Sequence, residues 1–297
     1  MFTAISRRSF LASAAAIPPA LALTQTQLTA QNPTPKPTFQ LGLVSYNVSA
    51  NWDLATTLEI CKRVGIAALE CRTTHKHGVE PSLSAAKRAD VKKQFADSGV
   101  VFWGCGSVCE FHSDNPDVVK KNIETCKSFI GLAAELGGKG VKVRPNGVAK
   151  GMTVQAACQQ IGKALIECGK AASDAGVEIW VEVHGAVTQD PKNMKLIMEA
   201  CGHPSVGVTW NSNDGEVVNG SLTQSFDLLS KFIRSCHIND LDKDKSGKYP
   251  YRELFTKLKG IGYDRYTMCE VGKSYSPKEG EAFLKQYKEK WMQLMAG

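Results

Sequence analysis

Residues 179–185 read IWVEVHG, an apolar run that closes on Glu182 and, two positions later, His184. Three later segments repeat the design: VGVTWNSND (206–214), IRSCHIND (233–240) and YTMCEVG (266–272). Each is a short stretch of apolar or β-branched residues ending on a polar group, Asn211, His237 or Glu270, and a helix-like stretch separates each from the next. Read outward, strand candidates cover 41–46, 67–71, 100–104, 140–144, 178–183, 206–210, 233–238 and 266–271. Helical patterns cover 54–64, 84–98, 116–136, 154–175, 191–200, 222–229, 251–258 and 277–295. In the third of these, Val118, Ile123, Cys126, Ile130, Ala133 and Ala134 recur at the spacing of one buried helix face. Gly65, Gly99, Gly137, Gly138 and Gly176 fall where helices should stop. Eight strands alternating with eight helices, with no solenoid-length repeat, specify an α/β fold of the single (β/α)8 TIM barrel type over residues 39–297. An open doubly wound sheet is disfavoured, because no GxGxxG follows the first strand and no GxxxxGK[ST] occurs anywhere.

The ends of the chain and its charge narrow the function classes. Residues 1–30 hold Ser6-Arg7-Arg8-Ser9-Phe10-Leu11 and then an alanine-rich apolar run. This is the layout of an export signal of the twin-arginine type, and it leads to the expectation of a periplasmic or otherwise exported protein with no membrane span once the signal is removed. The run is short and broken by Pro18 and Pro19, unlike a membrane span. Residues 31–38, QNPTPKPT, form a proline-rich linker. Removing Arg7 and Arg8 lowers the formal charge from +7 to +5. The remaining lysines are scattered over helical stretches such as KKQF and KEKW, the pattern of a solvated face and not of a nucleic-acid groove, so no nucleic-acid partner is expected. Several of the ten cysteines lie inside apolar runs and the rest mostly in helical stretches, so the expectation is mostly free, buried thiols.

A barrel carries its chemistry at the carboxyl ends of its strands. Glu182, Asn211, His237 and Glu270 all sit at such ends, and together they offer carboxylate, amide oxygen and imidazole. That mixture suits a hard or borderline divalent cation: Mn²⁺, Zn²⁺, Co²⁺ or Mg²⁺. Strand side chains alternate, so His184 shares a face with Glu182 and is placed to touch substrate. Asn213, Asp214 and Asp240 stand close to the ligand positions. ECRTTHKHGVEPSLS (70–84) and CEFH (109–112) add Glu70, His75, His77, Glu110 and His112. Five of the six histidines therefore map to one rim, His203 being the exception. Lys142 and Arg144, in VKVRPN, are placed to bind a substrate oxygen or phosphate.

LEC, VEVHG, VTWNSND, CHIND and CEVG resemble the strand-end motifs of the xylose isomerase-like barrel superfamily, the sugar phosphate isomerases/epimerases, over nearly all of residues 39–297. In ketose 3-epimerases of that superfamily a divalent metal is held by Glu, Asp, His and Glu from strands five to eight. The resemblance carries these roles onto Glu182, Asn211, His237 and Glu270. Asn211 departs from the pattern by replacing an Asp, and Asp214 replaces a His three positions further on. Barrels of that superfamily often pair, which makes a homodimer the assembly to look for.

The resemblance implies a metal-dependent isomerase or epimerase that moves a proton through an enediolate on a keto sugar, with Glu182 and Glu270 as ligands and as the acid/base pair. The nearest alternative is a lyase or hydratase acting on 3-keto-glycosides or their elimination products. Two further readings are an endonuclease IV-like nuclease, with His77 and His112 as extra metal ligands, and a non-catalytic sugar-binding protein.

Overall fold

The structure is a computed structural model and describes residues 39–296; the expected signal and linker lie outside the described residues. Eight strands close into a parallel barrel: β1 (Gln40–Val44), β2 (Ala68–Arg72), β3 (Val101–Glu110), β4 (Gly140–Arg144), β5 (Glu178–Glu182), β6 (Val206–Asn211), β7 (Ile233–Ile238) and β8 (Tyr266–Cys269). Each pairs with its successor, and β8 closes on β1 through Gln40↔Tyr266 to Leu43↔Cys269. The barrel is the single (β/α)8 fold expected from the alternation.

The helices begin and end where local chemistry says they should. The carboxylate of Asp53 accepts from the Thr56 N–H ahead of Leu54–Val64, and Asp190 does the same for Lys192, with Pro191 in the first turn. Gly65, Gly99 and Gly137 each take the left-handed conformation just past a helix, where any side chain would be strained. The apolar helix faces pack on the outside of the barrel in one continuous core, to which all three of Leu58, Ile130 and Leu165 contribute.

The barrel interior has its own smaller core. Trp103 and Trp180 stack with ring centroids 4.7 Å apart and 15° between planes, against Val44, Ala68 and Met268. Trp180 is fully buried, and its indole N–H donates to Glu178 Oε2 at 2.9 Å, a carboxylate that Arg265 also holds at 2.6 Å. Gly140 permits this approach, since a Cβ there would sit 2.7 Å from the Trp180 ring. Strand side chains alternate, so the inward residue two positions beyond this apolar floor reaches the barrel mouth. Trp180 is followed in this way by Glu182, Met268 by Glu270, and Ala68 by Glu70 and then Arg72.

Two features depart from the sequence expectation. β3 runs ten residues to Glu110 and not five, because its outer half pairs irregularly with β4 and resumes at Glu110↔Arg144; the small residues Gly104, Gly106 and Ser107 disguise it as a loop. A short helix, Asp242–Lys245, also follows β7. All ten cysteines are free and buried, as the apolar settings imply. Among the described residues no helix is long and apolar enough to cross a membrane.

Trp180→Ala should lower stability by about 3–5 kcal/mol, the usual cost of emptying a fully packed aromatic site. Chemical denaturation monitored by far-UV circular dichroism measures it. A loss below about 1 kcal/mol would mean that Trp103 refills the space and is the real keystone of the floor.

Candidate functional site

His237, near the end of β7, is fully buried. Its Nε2 lies 3.1 Å from Glu70 Oε2 and its Nδ1 lies 3.1 Å from Glu270 Oε2. Glu182 Oε1 is 3.9 Å from the same Nδ1. Glu182, His237 and Glu270 each offer one ligand atom, and these atoms all fall within 4.8 Å of one another. Asn211 joins them: its Nδ2 donates to Glu182 Oε1 at 3.3 Å. The two ends of an amide are told apart only by their partners, and a half-turn of this one presents Oδ1 instead. The other oxygen of Glu182 accepts from Lys142 Nζ at 2.8 Å.

Burial opposes charge on these groups, and their neighbours reverse it. Against the effect of burial, Lys142 and His237 hold the Glu182 carboxyl down at about 2. Burial also pulls Lys142 and His237 down, but Glu182 and Glu270 outweigh it at the ammonium, and Glu270 and Glu70 outweigh it at the imidazole, so both stay above their ordinary values. Three carboxylates, Glu70, Glu182 and Glu270, thus share a buried volume with one ammonium. The ammonium and the imidazolium leave one negative charge among them, a cation on Nδ1 would displace the imidazole's proton and face two, and Glu70 Oε1 is buried with no hydrogen-bond partner. Buried charge of this kind has to be balanced. One divalent cation among Glu182, Asn211, His237 Nδ1 and Glu270 would balance it, and two carboxylates, an imidazole and an amide oxygen are donors suited to Mn²⁺, Zn²⁺, Co²⁺ or Mg²⁺.

Glu70 takes a different place from the substrate-facing one expected. It is fully buried behind His237, where it accepts the Nε2 proton, so that Nδ1, which faces Glu270, is the nitrogen a cation would take. Gly106 makes room for it, because a Cβ there would come within 2.8 Å of Glu70 Oε1.

Above the cluster opens a cavity of about 230 Å³, lined by Tyr46, Arg72, Lys142, Arg144, Glu182, His184, Asn211, Asn213, Asn239 and Glu270. The expected contacts Lys142, Arg144, His184 and Asn213 are therefore brought together with the candidate ligands. His184 Nδ1 is 3.1 Å from Asn146 Oδ1, and the Asn213 amide donates to the Val183 carbonyl at 2.6 Å.

Other expected contacts stand back. His77 is buried, with Nε2 against Ser45 Oγ and the Arg72 carbonyl and Nδ1 accepting from the Val79 N–H. Both ring nitrogens are engaged in holding the loop, so His77 has none left for a metal. His75 stacks on Tyr46, with centroids 6.0 Å apart and 11° between planes. Glu110 is held by Arg144 and by Asn146 Nδ2, and His112 Nδ1 lies 3.9 Å from it. Asp240 is exposed and accepts from the Asp242 N–H at the start of the short helix, while Asp214 is exposed and ion-pairs with Lys243 at 2.7 Å. Tyr46, Arg72 and Asn239 line the cavity without having been singled out from the sequence. Tyr46 and Arg72 could have been found by counting two residues on from Val44 and Glu70.

A family model described as xylose isomerase-like TIM barrel matches residues 58–289. Among solved structures, 3-keto-D-glucoside 4-epimerase from E. coli superposes with a TM-score of 0.69 at 13% identity, covering 87% of this chain and 100% of that one. D-psicose 3-epimerase from Clostridium cellulolyticum H10, solved with D-tagatose, gives 0.72 at 14% identity over 86% and 99%. The IOLI protein with a zinc atom gives 0.72 at 18% identity over 86% and 98%. At these identities the likeness is one of fold. No curated protein matches the chain in sequence.

Two outcomes follow from the geometry. Glu70→Gln should weaken divalent-metal affinity by about 10–100-fold while leaving the fold intact, the usual cost of removing the carboxylate behind a metal-binding histidine; competition with a fluorescent chelator measures it, and unchanged affinity would detach Glu70 from the imidazole's role. Burial holds the His77 imidazole down at about 4. The unfolded chain, with an ordinary His near 6.5, then binds the extra proton first, so stability is lost as pH falls from about 6.5 to 4, by at most about 1.4 kcal/mol per pH unit. His77→Asn should flatten that part of the stability–pH curve; an unaltered slope assigns it to other groups.

Proposed function

Because the chain belongs to the xylose isomerase-like TIM barrel family, we propose that it is a metal-dependent isomerase or epimerase that moves a proton beside the carbonyl of a keto sugar or sugar derivative. The observation that carries this reading is the convergence of Glu182, His237 and Glu270 donor atoms within 4.8 Å at the floor of a polar cavity. The volume, about 230 Å³, is below the roughly 300–1,000 Å³ of sites for drug-sized ligands and suits one small polar molecule. The epimerases named above, which act on a 3-keto-glucoside and on psicose, support the substrate class.

Glu182, Asn211, His237 and Glu270 would hold the cation. A divalent cation bound there supplies Lewis-acid polarisation of the sugar carbonyl. The chain's own residues do the rest. Glu182 comes from β5 and Glu270 from β8, with His237 between them on β7, so a sugar seated over the imidazole has a carboxylate on either flank. For an epimerisation one takes the proton from the carbon beside the carbonyl and the other, having taken up a proton of its own, delivers that one to the opposite face; for an isomerisation the carboxylate that takes the proton returns it to the neighbouring carbon. Lys142 keeps Glu182 ionised through the 2.8 Å contact, so its carboxylate stays available. His184, Asn213 and Asn239 present hydrogen-bonding groups to the sugar hydroxyls.

Elemental analysis should find about one Mn²⁺, Zn²⁺ or Co²⁺ per chain in the purified protein, and Glu182→Gln and Glu270→Gln should each lose most of it together with activity. In D₂O the wild type should place one deuterium on the carbon beside the carbonyl of a keto sugar, with product mass otherwise conserved. Equal metal content in all three proteins would sink the ligand assignment. A product that is split or hydrated would replace the isomerase reading with a lyase or a hydratase.

A further inference from the structure

Two guanidinium groups line the cavity with donors to spare. Arg72 extends β2 one alternation beyond Glu70, and its Nη1 donates to the Thr73 carbonyl at 2.7 Å and to Thr74 Oγ1 at 2.9 Å. Its Nε and Nη2 have no acceptor, and no carboxylate lies within 4.0 Å of it, among the described residues. The Tyr46 ring packs against it at 5.5 Å from the guanidinium carbon and helps fix its position. Arg144 donates through Nη2 to Glu110, while its Nε is buried with no partner. A protein that leaves a half-buried cation unpaired beside a second arginine, in a cavity that takes a ligand, forgoes an easy neutralisation.

The charge count points the same way. Four carboxylates, Glu70, Glu110, Glu182 and Glu270, stand against four cations, Arg72, Lys142, Arg144 and the His237 imidazolium. A divalent cation at the ligand set, by displacing the proton on His237 Nδ1, would turn this balance into an excess of one positive charge. Proton transfer from sugar to glutamate moves charge within the site and leaves the total unchanged, so turnover of a neutral sugar never uses that excess. A substrate with one negative charge of its own would. Arginine presents planar paired donors that match a carboxylate in bidentate fashion.

We propose that Arg72, with Arg144, forms an oxyanion subsite, and that the substrate is a keto sugar bearing a carboxylate, a ketoaldonate or ketouronate. This rests on the isomerase reading for the identity of the sugar, but the subsite is testable without turnover. Tyr46 and the Arg72 backbone turn hold the subsite at the rim, opposite the floor where the carbonyl would lie, so the carboxylate orients the sugar.

The experiment is isothermal titration calorimetry on the metal-loaded protein with 5-keto-D-gluconate, D-fructose and D-fructose 6-phosphate, repeated with Arg72→Gln and Arg72→Lys, each shown to be folded by circular dichroism. The expected result is that 5-keto-D-gluconate binds at least tenfold more tightly than D-fructose, that Arg72→Gln removes the difference, and that Arg72→Lys keeps part of it. Equal binding of acid and neutral sugar by the wild type overturns the subsite, as does an Arg72→Gln protein that retains the full preference. Tighter binding of the sugar phosphate than of the acid overturns the carboxylate and makes the anion phosphoryl. Deuterium exchange run on the same sugars separates the two readings. Exchange on neutral sugars without charge preference defeats the subsite and keeps the isomerase. An Arg72-dependent preference for the acid without exchange on any of the three sugars keeps the subsite and defeats the isomerase.

Discussion

Everything at the mouth of this barrel depends on how one buried imidazole is held. His237 sits between carboxylates on both ring nitrogens, 3.1 Å from Glu70 on one side and 3.1 Å from Glu270 on the other. Glu70 accepts from Nε2, so Nδ1, the nitrogen facing Glu270, is the one a cation would take. Remove Glu70 and the imidazole can present either nitrogen; remove Gly106 and Glu70 has no room. The cluster is thus a chain of spatial permissions running from a glycine on β3 to a carboxylate on β2 to an imidazole on β7. Its last link is the pair of glutamates on β5 and β8.

That arrangement is stable only because of what lies beneath it. The Trp103–Trp180 stack, packed with Val44, Ala68 and Met268, forms an apolar floor beneath the carboxylates. Above that floor an unbalanced buried charge is costly, so the negative charge left among Glu70, Glu182, Glu270, Lys142 and His237 would favour a cation there. The same burial gives the Lys142–Glu182 contact its force: exposed, such a pair would be worth little, while here each partner holds the other ionised.

How much of this was legible in the sequence follows from which interactions are local. Strand boundaries, helix caps and the four candidate ligand positions are written in short-range patterns: an apolar run, a polar residue at its end, a cap such as Asp53 or Asp190. Alternation along a strand is equally local, and applied throughout it would have added Arg72 two residues after Glu70 and Tyr46 two after Val44. What the chain does not state locally is which polar residue faces which. Glu70 and His77 lie seven residues apart in one histidine-rich stretch and look alike as rim groups, yet one supports a ligand from β7 while the other ties the β2 loop to Ser45. β3 reads short in the sequence for a similar reason, since Gly104, Gly106 and Ser107 look like a loop until β4 is beside them.

The replacement of the usual Asp by Asn211 takes on meaning in this setting. Read alone, it removes a negative charge from a ligand set and should weaken a cation's hold. Within the whole cavity it is one of several features of the same sign: a neutral amide at β6, an ammonium on Glu182, and a guanidinium at Arg72 with no carboxylate beside it. Two carboxylates would then face a cation there directly, matching its charge without surplus. An aspartate at 211 would instead absorb the excess positive charge that the arginines leave. On this view the amide is what makes an anionic substrate tolerable: negative charge withheld by the ligand set is charge that the sugar can bring.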